Sequence, residues 1–71
     1  MIPHEISASE VSRLIDEWII GRNGERDRRI LKRRLIDGIH FEPLAEEFDL
    51  STRQVKNIVY RGEAKIFRHH K

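Results

Sequence analysis

Arg53, Lys56, Asn57 and Tyr60 stand at i, i+3, i+4 and i+7, so a helix that contains them carries all four along one face. Their chemistry is hydrogen bonding and charge. A guanidinium fork fits the two acceptors of guanine and a carboxamide fits the donor and acceptor of adenine, while an ammonium or a phenol reaches phosphate oxygens or base edges. Arg61 and Lys65 extend the positive charge, and Ser51 and Thr52 add hydroxyls at the start of the stretch. The set suits nucleic acid. The plain alternative is a solvated helix face, which charged residues at this spacing commonly form.

Other chemistries fail on spacing. The four histidines, His4, His40, His69 and His70, form no i, i+4 pair, and there is no cysteine, so no metal site is expected. His69-His70 reads as part of a solvated tail. Glu42, Glu46 and Glu47 read as a surface face, Glu42 and Glu46 lying one turn apart, rather than as a catalytic set. No phosphate-cradling glycine loop and no Ser/His/Asp constellation is visible, so neither enzyme activity nor a cofactor is expected. Arg-Leu-Ile-Asp occurs twice, at Arg13–Asp16 and Arg34–Asp37, with nothing repeated around it.

The elements that must hold the polar face come next. Counting Phe41 as the first position, Leu44, Ala45 and Phe48 mark one face of a short helix, with the small Ala45 where a second helix must approach closely. Asp49 falls where the chain must turn through a left-handed conformation, which Asp tolerates better than most residues. Leu50 plugs the corner. Ser51 and Gln54 make a Ser-x-x-Gln capping box, so the next helix starts at Thr52. Val55, Ile58, Val59, Gly62 and Ile66 supply its buried stripe at i, i+3, i+4, i+7 and i+11. The pattern is that of a helix-turn-helix whose second, recognition helix carries the polar face outward.

At these residues the chain resembles a known family. LAEEFDLSTRQVKNIVYRGEAKIFRH, from Leu44 to His69, is similar to region 4.2 of the sigma-70 factors of bacterial RNA polymerase, and the preceding ERDRRILKRRLIDGIHFEPLAEE is similar to region 4.1. The shared points are Gly38 before His40-Phe41, the Phe48-Asp49-Leu50-Ser51 corner, and Val55-Lys56-Asn57-Ile58 followed by Tyr60-Arg61. The resemblance implies recognition of a promoter element, with base-reading positions on Thr52, Arg53 and Asn57 and with RNA polymerase as a protein partner. Where primary sigma factors carry Arg then Glu, this chain has Thr52 then Arg53, which implies a different target sequence. The domain by which a sigma factor melts DNA finds no room in 71 residues. The expectation is a free-standing region 4-like regulator, of the kind the resemblance suggests for phages and mobile elements, or a fragment of a longer protein.

The remaining chain supports this unit. Ser7 and Glu10 form a capping box for a first helix from about Ala8 to Ile20, ended by Gly21, with Val11, Leu14, Ile15, Trp18 and Ile19 as its apolar stripe. Trp18 reads chiefly as a core anchor. Trp18, Ile19 and Ile20 are also the candidate contact for a protein partner or a second copy, Ile20 pointing away from the stripe. Gly21-Arg22-Asn23-Gly24 is a turn, with Asn23 suited to positive φ. A second helix follows from about Glu25 to Asp37, with Leu31 and Leu35 inward, Ile30 flanking them and Gly38 at C′. Its basic run (Arg26, Arg28, Arg29, Lys32, Arg33, Arg34) reads either as a phosphate-facing surface or as a solvated face partly neutralised by Glu25 with Arg29. The third helix begins near Phe41 or Glu42, with His40 where a Ser or Thr cap would be expected and Pro43 acceptable in the first turn.

These elements define a single all-α domain over residues 1–71: an N-terminal helix within 1–21, a second helix over 25–38, and a helix-turn-helix over 41–68. A chain of this length buries only about 60% of its unfolded surface. The absence of cysteine fits a reducing compartment, no run approaches the ~20 apolar residues of a membrane span, and the start of the chain lacks the order of a signal peptide, so a cytoplasmic protein with no membrane partner is expected. Charge alternates in blocks: −3 over residues 1–21, +4 over 22–41, −4 over 42–50 and +5 over 51–71. Positive charge thus gathers on the second and fourth helices.

The expected function is sequence-specific binding of double-stranded DNA in bacterial or phage transcription regulation, with the recognition helix, residues 52–67, in the major groove. Arg53, Asn57, Thr52 and Tyr60 would meet bases; Lys56, Arg61, Lys65 and Ser51 would meet phosphates. The alternative is a protein adaptor that docks on RNA polymerase or a regulator and reads little DNA. RNA binding lacks an aromatic stacking platform, Tyr60 alone being insufficient.

Overall fold

Ser7 takes an extended backbone and its hydroxyl accepts from the Glu10 N–H at 3.2 Å, which opens α1 (Ala8–Trp18). The computed structural model describes residues 6–69, and the expectations attached to His4, His70 and Lys71 lie outside them. Within those bounds the fold is four helices and no strand: α1, α2 (Gly24–Leu35), α3 (Phe41–Phe48) and α4 (Thr52–Arg68). None of them is long and apolar enough to cross a membrane.

The first connection differs from the expected one. α1 stops at Trp18, two residues short of Ile20, because Ile19 leaves the helix in an extended conformation and turns its side chain into the core, where it is 6% exposed. Arg28 from α2 donates from Nη1 to the Ile19 carbonyl at 2.6 Å, satisfying an acceptor that the broken helix leaves open. Gly21, at φ +109°, makes the turn possible, whereas Asn23 sits at φ −102° and needs no special tolerance. α2 therefore begins one residue before Glu25. It also ends earlier than expected, at Leu35 with Ile36 as its cap, so Gly38 at φ +75° lies two residues beyond the cap rather than directly after it.

The second half follows the local chemistry of the sequence. α3 starts at Phe41 behind His40, which has the extended backbone of a cap residue and no side-chain cap hydrogen bond. Asp49 adopts the left-handed conformation at φ 57°, ψ 46°, and the Leu50 N–H folds back to the Ala45 carbonyl at 2.9 Å. Both halves of the Ser51/Gln54 box are formed, at 3.1 and 2.9 Å, and α4 begins at Thr52.

One core joins the helices. Val11, Leu14, Ile15, Ile30, Leu31, Leu44, Val55, Val59 and Ile66 are all essentially inaccessible, each contributing roughly 1.5–3 kcal/mol relative to exposure. Ile30 is as fully buried as Leu31, not flanking it. Trp18 is only half-buried: it packs on the core edge and stacks on His69, rings 3.6 Å apart and 6° from parallel, so it fastens the end of α4 to α1 instead of anchoring the centre. α4 and α2 each pack against all three other helices, so the two together form the centre of the domain. The Cα radius of gyration is 11.3 Å, and a packed chain of this length has about 11 Å.

Candidate nucleic-acid interface

The buried stripe of α4 (Val55, Val59, Gly62, Ile66) fixes the rotation of the helix, and at roughly 100° per residue the residues opposite it must face out. Arg53, Lys56, Asn57 and Tyr60 are exposed, Tyr60 by 55%, and lie together along about two turns of that outer surface. Thr52 is half-buried at the head of the helix. Ser51 is exposed; its oxygen accepts from the Gln54 N–H, and its hydroxyl proton is left to donate outward.

Phe41 organises one edge of this surface. Its ring meets Tyr60 edge-on with centroids 5.9 Å apart, the Lys56 ammonium lies 5.8 Å from its centroid, and the Arg34 guanidinium lies 4.5 Å from it. Arg34 is held there by donating from Nη1 to the Ile39 carbonyl at 3.2 Å. The start of α3 thus props two of the four polar side chains, a role that sequence spacing did not disclose. Phe41 had shown itself only as an apolar mark of the corner, and no signal in the sequence pairs it with Arg34 or Tyr60.

Charge on α2 and on α4 has different fates. On α2, Arg26 pairs with Asp27 at 3.0 Å, Lys32 with Asp16 of α1 at 2.7 Å, and Arg33 with both Glu47 of α3 at 2.9 Å and Asp37 at 3.3 Å. The Glu47 hydrogen bond and charge hold the Arg33 pKa above its ordinary value. Arg28 is bound to the Ile19 carbonyl, and Arg29 lies over the Phe48 ring at 5.9 Å instead of pairing with Glu25. The basic run of α2 is mostly spent inside the molecule.

On α4, the side chains of Arg53, Asn57, Arg61, Lys65 and Arg68 take part in no hydrogen bond, ion pair or ring contact among the described residues.

Arg61 and Lys65 diverge from the other candidates. They lie toward the opposite flank of α4, where with Ile19, Ile20, Asp27, Leu31, Ile58 and Gly62 they line a half-open cleft of about 240 Å³ between α4 and the α1–α2 turn. The three residues expected to meet a partner also separate: Ile19 is in the core, Trp18 is stacked on His69, and Ile20 alone stands out, 68% exposed.

No protein-family model, curated protein or solved structure matches the chain. The chemistry of this surface is therefore the ground for a functional reading. No three His, Asp or Glu side chains gather to hold a metal among the described residues. What the α4 surface offers is a row of exposed donors, one carboxamide that both donates and accepts, and positive charge on Arg53, Arg61 and Lys65 that makes no ion pair among the described residues.

Proposed function

We propose that this chain is a sequence-specific double-stranded DNA-binding domain in which α3 and α4 act as a helix-turn-helix and α4 enters the major groove, serving bacterial or phage transcription as a region 4-like module. The observation that carries the reading is the contrast between the internally paired cations of α2 and Arg53, Asn57, Arg61, Lys65 and Arg68 of α4, whose side chains pair with nothing among the described residues. The resemblance to sigma-70 region 4 supports the same orientation, and it makes RNA polymerase the natural protein partner.

In this reading Arg53 and Asn57 meet base edges, with Thr52 and Tyr60 assisting, and Lys56, Arg61, Lys65 and Ser51 meet phosphates on the two flanks. Phe41 and Arg34 hold Tyr60 and Lys56 in position. Three phosphate-bound cations give a slope of about −2.7 for log K against log salt. Arg53→Ala then costs roughly 1–3 kcal/mol and relaxes preference at one base pair, whereas Lys56→Ala weakens all sequences alike and reduces the slope by about 1.

The test is selection of bound duplexes from a random DNA pool by the purified protein at low and moderate salt, followed by the two variants on the enriched site. Equal losses on specific and random duplexes for both variants would contradict the division of roles. No enrichment, with binding that disappears as salt rises, would transfer the assignment to a protein adaptor.

A further inference from the structure

Tyr60 is the one side chain in the polar row of α4 that brings a large apolar surface. It is 55% exposed, and among the described residues the other large hydrophobic so open to solvent is Ile20, away on the α1–α2 turn. At about 100° per residue Tyr60 stands only about 20° round the helix from Arg53, on the midline of the face, whereas Lys56 stands about 60° to the side. The ring is also held. It meets the Phe41 ring at 75° with centroids 5.9 Å apart, and Phe41 is in turn covered at 4.5 Å by the Arg34 guanidinium, which donates to the Ile39 carbonyl at 3.2 Å. A ring supported in this way has little freedom left to lose on contact.

We propose that the Tyr60 ring reads the 5-methyl group of a pyrimidine in the major groove, which makes Tyr60 a specificity-determining residue rather than an accessory donor. The inference rests on the nucleic-acid reading of α4. Its chemistry follows from matching surfaces. Arg53 and Asn57 offer hydrogen bonds to base edges and Lys56 offers charge, but an aromatic ring this open is buried favourably only against an apolar counterpart. The thymine methyl is the one apolar group that base pairs present in the major groove. Tyr60 is three residues beyond Asn57, a rise of about 4.5 Å, so the methyl belongs about one base-pair step, ~3.4 Å, beyond the base that Asn57 meets. The phenol hydroxyl adds no such selection, since phosphate oxygens accept it at any sequence. Because the contact is to the methyl and not to the rest of the base, cytosine methylated at C5 presents the same group, and methylation at that position strengthens binding.

The test uses the full chain and the duplex it enriches from a random pool, with deoxyuridine put in place of each thymidine in turn, a change that removes the methyl and leaves every hydrogen bond. One position, about one step from the base pair at which Asn57→Ala relaxes preference, should lose about fourfold in affinity, the effect of exposing one buried methyl group. Tyr60→Phe should keep that difference and Tyr60→Ala should erase it, with the helical circular dichroism of both unchanged. Cytosine methylated at C5 should bind about fourfold more tightly than cytosine at the same position. An enriched site in which no thymine methyl matters would overturn the inference while leaving sequence-specific binding intact. So would a methyl effect that survives Tyr60→Ala or disappears in Tyr60→Phe. Absence of any enriched sequence would overturn this inference and the nucleic-acid reading together.

Discussion

Replacing Gly62 by Ala tests the closest approach in the fold. Gly62 is in the interior of α4, where Ala is ordinarily favoured by about 1 kcal/mol. A Cβ at this position would lie 2.5 and 2.8 Å from the two δ-carbons of Leu31 and 3.1 Å from its γ-carbon. Those atoms end a side chain, but Leu31 is fully buried in the core and has little room to yield. Overpacking of this kind costs roughly 1–3 kcal/mol, so the net effect is a loss of about 1 kcal/mol, opposite in sign to the helix preference. Leu31→Val removes both δ-carbons at a cost of its own of about 1 kcal/mol. In that background Gly62→Ala should stabilise by about 0.5 kcal/mol, a coupling of about 1.5 kcal/mol across the cycle. Urea unfolding of the four proteins measures it, with the midpoint moving at unchanged slope. A Gly62→Ala that stabilises the original protein, or a cycle without coupling, would refute the argument. The result bears on function because this contact seats α4 on α2 and so sets how far its outer face projects.

Further outcomes follow from the ends of the helices and the aromatic contacts. His40 already has the backbone of a cap but makes no side-chain cap bond, so His40→Ser should stabilise by about 0.5–1 kcal/mol in thermal unfolding. Ser51→Ala removes one half of a complete capping box and should cost about 1 kcal/mol, lowering the midpoint by about 4–8 °C for a domain of this size. His69→Ala uncovers one face of Trp18, so tryptophan emission should shift to the red with a stability loss of about 0.5–1.5 kcal/mol; an unchanged spectrum would mean that the stack does not persist in solution.

Much of the architecture was legible because its determinants are short-range. The Ser7 and Ser51 caps, the left-handed Asp49, and the apolar stripe of α4 each depend on residues within a turn or two, and each formed where spacing indicated, except that Ile58 is only half-buried at the edge of the stripe. The polar face of α4 was legible for the same reason, since a buried stripe at helical period dictates what lies opposite it.

The helix ends near Ile19 and Ile36 were not, because propensity there competes with tertiary contacts: burial of the Ile19 side chain and capture of its carbonyl by Arg28 outweigh two more residues of α1. Nor could sequence sort the basic residues. Spacing suggested Glu25 for Arg29, yet the partners that engage α2, Asp16 on α1 and Glu47 on α3, lie 16 and 14 residues from the cations they bind. By itself, then, the sequence determined the four helical stretches apart from the ends of the first two, where the corner falls and which side of α4 is polar, since these follow from local backbone chemistry and periodicity. Only the tertiary structure decided which charges remain open, that Phe41 props Tyr60 and Lys56, and that Ile20 stands beside an empty cleft. Pairing, stacking and cleft shape arise from groups that folding brings together from distant parts of the chain.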